Sequence, residues 1–107
     1  MNPAFLIKIA HKTSHPRFFH VAVVVKGGAI KAVGYNHDFV HAEDMALSKM
    51  WPSERAGCKL YSFRVRKDGS FAMAKPCENC MKMIVDSGIK TIYYSNSNGK
   101  MEKIKVR

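Results

Sequence analysis

Hydrophobic positions along the chain switch between a helical period and a period of two, and the switches mark the elements. From about Pro3 to His11, Phe5, Leu6, Ile9 and Ala10 fall on one side of a helix, with Thr13, Ser14 and Pro16 ending it. Phe19 to Lys26 is dense in valine and aromatic residues and reads as a strand. Gly27-Gly28 fits a tight hairpin turn into a second strand, Ala29 to Tyr35. Ala42, Met45, Ala46 and Met50 restore helical spacing from near His41 to Trp51, and Pro52 stops that helix because it lacks the N–H the next turn needs.

From Leu60 to Lys67 the period is two again, with Tyr61, Phe63 and Val65 on one face and Ser62, Arg64 and Arg66 on the other. That alternation predicts a half-buried strand. Asp68-Gly69 is a turn signal, after which Ser70 to Ala74 is expected to fold back as a short strand. Pro76 opens another helix, and Gly88 suits its end, with Ile89 as the apolar contact beyond. Lys90 to Ser95 is a strand, Asn96 to Gly99 a turn, and Met101 to Val106 a last strand. The few residues between the last two strands force an antiparallel pair. Strands interleaved with helices imply an α/β sheet covered by helices. With no repeat, low-complexity tract or linker, residues 1–107 are expected to form a single domain.

Composition adds a bias of charge. The chain has 107 residues, 47% of them hydrophobic, with 18 Lys and Arg against 8 acidic residues, a formal net charge of +10. That sign favours phosphate-bearing partners through attraction that weakens with salt, and nucleic acid is one such partner. The basic residues are scattered; Arg64, Arg66 and Lys67 at one turn, and Lys100, Lys103, Lys105 and Arg107 near the C-terminus, read as solvated faces. No stretch is long enough to cross a membrane, and Lys8 interrupts the only apolar run near the N-terminus. Cytoplasm is therefore the expected compartment.

The residues that carry chemistry are His41-Ala42-Glu43 and Pro76-Cys77-Glu78-Asn79-Cys80. A Cys-x-x-Cys pair without an export signal reads as a metal site or a redox pair. On a helix, residues three apart share a face, which Met81 and Ile84 continue. Zinc favours soft sulfur with imidazole, and His41 would be the third ligand. Three protein ligands leave the fourth tetrahedral position for water, whose pKa zinc lowers from about 15.7 toward about 7. Glu43 is the proton carrier in this scheme. Residues two apart do not normally share a helix face, but His41 and Glu43 can converge if His41 stands where the helix begins. Cys58 reads as an inert core thiol, and His11, His15, His20 and His37 receive no role.

His-x-Glu with Pro-Cys-x-x-Cys resembles the zinc deaminase signature of the cytidine deaminase superfamily. The stretch from Pro76 to Ser95, with Gly88-Ile89-Lys90 and Tyr93-Tyr94-Ser95, is similar to the deoxycytidylate and tRNA adenosine deaminases. The resemblance implies a three-layer α/β/α cytidine deaminase-like fold with a five-stranded mixed sheet. It also implies Zn2+ on His41, Cys77 and Cys80, with Glu43 as the acid/base. Ala42 and Cys77 would offer backbone N–H groups near the base, the carbonyl of Lys75 would accept from the departing amino group, Asn36 would contact sugar or base, and Tyr94 would line the pocket.

The segment Arg64 to Lys75 is longer than in many relatives, so its pocket wall is not carried over. The antiparallel last pair resembles the free-nucleoside branch, whereas His-Ala-Glu resembles the nucleotide and tRNA branches. The nucleoside branch completes its pockets across subunits, which makes a homo-oligomer an expectation. The leading reading is a deaminase of cytidine or deoxycytidine, as nucleoside or nucleotide. Two alternatives stand beside it: a deaminase of single-stranded DNA or RNA, and a non-catalytic zinc-stabilised binding module.

Overall fold

A computed structural model of the chain describes residues 3–12, 19–37 and 40–106. Ten elements follow one another: α1 (Pro3–Ala10), β1 (Phe19–Lys26), β2 (Ala29–Tyr35), α2 (Ala42–Ser48), α3 (Pro52–Arg55), β3 (Lys59–Val65), β4 (Phe71–Ala72), α4 (Glu78–Asp86), β5 (Thr91–Ser95) and β6 (Met101–Lys105). Thr13, Ser14, His15 and Pro16 lie outside the described residues.

The strands form one mixed sheet in the order β2-β1-β3-β5-β6. β1 runs antiparallel to β2 and β3, β3 parallel to β5, and β5 antiparallel to β6. The parallel pair requires a crossover, which α4 supplies. β4 is a sixth, two-residue strand that pairs Phe71 and Ala72 with Val65 and Arg64, where β5 no longer reaches. The expected five-strand path is present, and the long Arg64–Lys75 segment adds this short strand to it.

Helices cover both faces, making three layers. β1 shows why: Val21 and Val23 project into a core with Leu6 and Ala10 of α1 and with Phe63 and Val65. Ala22 and Val24 project the other way, into a core with Ala42, Ala46 and Leu47 of α2, Ile84 of α4, and Leu60, Ile89 and Ile92. A strand buried on both faces loses the polar alternation of a half-exposed one. Each fully buried Leu or Ile in these layers contributes roughly 1.5–3 kcal/mol.

Three local expectations change. α2 ends at Ser48, and Pro52, expected only as a stop, also begins the one-turn α3, where its missing N–H has no helical partner to lose. Pro76 does not open α4; Cys77 is the N-cap and Glu78 the first helical residue. β3 is not half-buried: Ser62 has 0% exposure on the face expected to meet solvent. That face meets the helix layer of α2 and α4, and Ser62 is satisfied there by hydrogen bonds.

Gly34 seats α2 against β2. A Cβ at Gly34 would lie 2.1 Å from the Ala42 carbonyl oxygen and 2.5 Å from the Ala46 amide nitrogen. No other residue lets these two backbones meet so closely. This contact fixes where the first turn of α2 stands.

Candidate active site

Two helix starts converge on one point. His41 is the N-cap of α2, with extended backbone at φ −77 and ψ 153. Cys77 is the N-cap of α4, also extended, at φ −66 and ψ 167. Its sulfur accepts from the amide of Cys80 at 3.5 Å, so a prospective metal ligand also caps its own helix. Cys80, one turn into α4, places Sγ 3.1 Å from Nδ1 of His41.

The ligand atoms of His41, Cys77 and Cys80 all lie within 4.8 Å of one another. Zinc–sulfur and zinc–imidazole bonds of about 2.3 and 2.0 Å need donors of this kind at nearly this spacing. His41 and Cys77 are exposed and Cys80 is buried, so the site is open on one side. All three cysteines are free of disulfides, and Cys58 is buried with its thiol donating to the Glu54 carbonyl. The Cys-x-x-Cys pair is thus placed for a metal, with an imidazole supplied from 36 or more residues upstream.

Electrostatics agree with a cation here. Burial, then the charge of Glu43, then the neighbouring Cys77, push the Cys80 thiol far above its ordinary range. A dication held there would oppose those influences, because thiolate is the form that binds it.

Glu43 stands in the second position of α2 with only 1% exposure. Its Oε1 has no hydrogen-bond partner among the described residues. A buried carboxylate oxygen left so is costly unless a polar group or a cation answers it, and its charge is felt at the Cys80 thiol. His41 outside the helix and Glu43 within it resolve the spacing problem of residues two apart.

The flanking candidates are placed as follows. Asn36, just past β2, accepts from the His20 amide through Oδ1 at 3.0 Å and ties the ends of β1 and β2 together. Ala42, the first residue of α2, has 0% exposure. Lys75 is exposed in the segment between β4 and Cys77. Tyr94 lies opposite Ser62 in the β3–β5 pairing and donates its hydroxyl to Glu102 at 3.3 Å.

Sequence reasoning missed His20. Its ring lies between Glu43, 3.5 Å from Nδ1 to Oε1, and Ser62, 2.6 Å from Nε2 to Oγ. Burial lowers its pKa, with Glu43 opposing and Arg64 and His41 adding to the fall. The available signal was its position: His20 occupies the same strand face as Ala22 and Val24, where the pattern calls for an apolar residue.

A model of the cytidine and deoxycytidylate deaminase zinc-binding region matches residues 3–96. The chain belongs to that family. This deaminase is therefore a hydrolytic, zinc-dependent enzyme, and His41, Cys77 and Cys80 are placed to hold the zinc. The crystal structure of dCMP deaminase from the cyanophage S-TIM5 in apo form resembles it with a TM-score of 0.67 and 28% identity, over 89% of this chain and 79% of the phage chain. The phage enzyme in complex with dCMP and dUMP gives 0.59 and 25%, over 91% and 85%.

A diaminohydroxyphosphoribosylaminopyrimidine deaminase/5-amino-6-(5-phosphoribosylamino)uracil reductase from Thermotoga maritima gives a TM-score of 0.61 and 26% identity, over 85% of this chain but 27% of its own. No curated protein sequence matches this deaminase. Among the described residues, no helix is long and apolar enough to cross a membrane.

Proposed function

We propose that this deaminase hydrolyses the exocyclic amino group of cytosine in a free cytidine or deoxycytidine nucleoside or nucleotide, giving the uracil product and ammonia. One observation carries the reading: the ligand atoms of His41, Cys77 and Cys80 cluster within 4.8 Å of one another, and two residues after His41 stands a carboxylate with 1% exposure. Zinc held by those donors supplies the positive charge that makes water nucleophilic near neutral pH. Likeness to the phage dCMP deaminase over 89% of the chain supports a nucleotide of cytosine as substrate.

Glu43 is the proton carrier. Its carboxylate takes a proton from the attacking water and delivers it to the ring nitrogen next to the reacting carbon. The water oxygen bonds to that carbon. Glu43 then moves the second water proton to the amino nitrogen, the carbon–nitrogen bond breaks, and ammonia leaves. General acid/base groups of this kind contribute roughly 10²- to 10⁴-fold. The base is held by backbone N–H groups of Ala42 and Cys77, and the Lys75 carbonyl accepts from the amino group. Asn36 contacts the sugar or base, and Tyr94 contributes to the pocket wall. The net charge of +10 draws anionic nucleotides toward the molecule.

The test is ammonia release from cytosine, adenine and guanine nucleosides, nucleotides and short oligonucleotides by zinc-loaded protein at two salt concentrations. Turnover of cytidine, deoxycytidine or their phosphates is expected, with Glu43→Gln retaining zinc and fold but losing about 10²-fold or more in kcat. Activity confined to oligonucleotides would give the site to a nucleic-acid deaminase. Equal inertness of wild type and Glu43→Gln on every substrate would leave a zinc-stabilised binding module.

A further inference from the structure

We infer that the sheet face beside α1, where β5 and β6 extend past that helix, is a docking surface for single-stranded nucleic acid. Tyr93 stacks a base there, and Lys59, Lys103 and Lys105 meet phosphates. The surface lies across the sheet from α2 and α4, whose starts carry the metal donors. It is therefore separate from the active site, and the inference does not depend on which substrate that site takes.

Register brings these residues together. Tyr61 of β3 pairs with Tyr93 of β5, and Tyr93 with Lys103 of β6, so three side chains form one row across the sheet. Lys59, Thr91 and Lys105 form the next row on the same face. Two residues of strand separate the rows, a distance of about 7 Å. α1 does not extend this far. Its core cluster takes in Phe63 and, at its margin, Tyr61, but among the described residues no member lies on β5 or β6. Tyr61, Tyr93 and Lys59 are half-buried, whereas Lys103 and Lys105 are exposed.

The rings already stack. Tyr61 and Phe63 lie 6.3 Å apart with planes at 7°, and Tyr61 and Tyr93 lie 4.6 Å apart at 9°. Tyr93 ends this stack on the side of β6, and a nucleobase is a flat ring able to continue it. Such stacking accepts any base, because every base has a π-face. In a duplex those faces are taken up by neighbouring bases, so a single strand is the form that offers them.

Charge selects the same ligand. Glu102 is the only acidic residue on β3, β5 or β6, and it lies on the other face, where it accepts from the Tyr94 hydroxyl. Three lysines on a face without a carboxylate attract a polyanion and repel a second copy of the same face. Lysines on an edge strand by themselves do no more than keep it from pairing with another strand. The open end of the ring stack beside them is what gives a ligand something to hold.

The test is fluorescence anisotropy of a labelled oligothymidylate of about 12 nucleotides, which has no cytosine to engage the active site. Zinc-loaded protein is expected to bind it at low salt about 10-fold or more tightly than a duplex of the same length or polyglutamate of equal charge. Tyr93→Leu should weaken binding by about 10-fold or more, while Tyr93→Phe, which keeps the ring, stays within about twofold of wild type. Lys103→Gln and Lys105→Gln should each flatten the slope of log K against log salt by about 0.7. Lys82→Gln, on α4 at the opposite face, should leave affinity and slope near wild type. Tyr93→Leu should also leave the rate on a free nucleotide near that of wild type.

Equal binding of duplex or polyglutamate, equal binding by Tyr93→Leu and wild type, or displacement of the oligonucleotide by saturating dCMP overturns the inference. A dimer in sedimentation that Tyr93→Leu dissociates would give the face to a second copy and overturn it too. If Tyr93→Leu melts early, the lysine variants carry the test, and an unchanged salt slope in both is then the overturning result.

Discussion

α2 and α4 each begin at a metal ligand, yet the two starts are secured by different means. α4 carries its own: the Cys77 sulfur caps the helix by accepting from Cys80, and the same two residues are placed to hold the metal. α2 has no side-chain cap at His41. Its position depends on a backbone-to-backbone contact with Gly34, seven residues upstream, and on burial of Ala42, Ala46 and Leu47. The first arrangement is local and survives in the sequence as a four-residue motif. The second is tertiary, and it decides where both His41 and Glu43 stand.

Substitutions at the two starts should separate these mechanisms, and Gly34→Ala has the largest effect. Its Cβ would meet backbone atoms at 2.1 and 2.5 Å, which no rotamer change relieves. Overpacking against backbone is expected to cost about 3 kcal/mol or more in urea unfolding, with zinc content and activity falling together as α2 moves. A loss under about 1 kcal/mol would mean that packing, not this contact, seats the helix.

The far end of α4 gives the intermediate case. Gly88 has φ 85, and a Cβ there would stand 3.1 Å from the Cα of Ala56. Gly88→Ala is expected to cost roughly 1–3 kcal/mol in the same assay, because the left-handed region is strained for any residue with a side chain. Zinc stoichiometry should hold near wild type, since the ligands stand at the opposite end.

The smallest and most discriminating effects concern Cys77. In zinc-free protein, Cys77→Ala is expected to lower stability by about 0.5–1 kcal/mol through loss of the cap, whereas Cys77→Ser keeps a capping oxygen and stays within about 0.5 kcal/mol of wild type. Both should lose tight zinc binding, measured by metal analysis after gel filtration. Equal destabilisation by the two would show that the sulfur does not cap α4.

The sequence was informative where chemistry is local. His41, Glu43, Cys77 and Cys80 could be named from spacing and resemblance, and strand β3 could be placed from its alternation. That alternation was misread in one respect: it tells which side chains share a face, not what that face meets. Ser62 therefore looked solvated, although the α2–α4 layer buries it completely. His20 escaped notice for the same reason, because a lone histidine on a valine-rich strand gives no clue to a partner 23 residues away.

Amino-acid order alone determined most of the strands and helices and the Cys-x-x-Cys pair, because each depends on neighbours within one or two turns of chain, whereas α3 and the cap of α4 at Cys77 came with the structure. Only tertiary structure decided that Gly34 fixes α2, that Glu43 is sealed from water, and that the His20 ring lies between Glu43 and Ser62. Those relations arise when strands distant in sequence lie side by side about 4.8 Å apart, and no local period encodes which strands become neighbours.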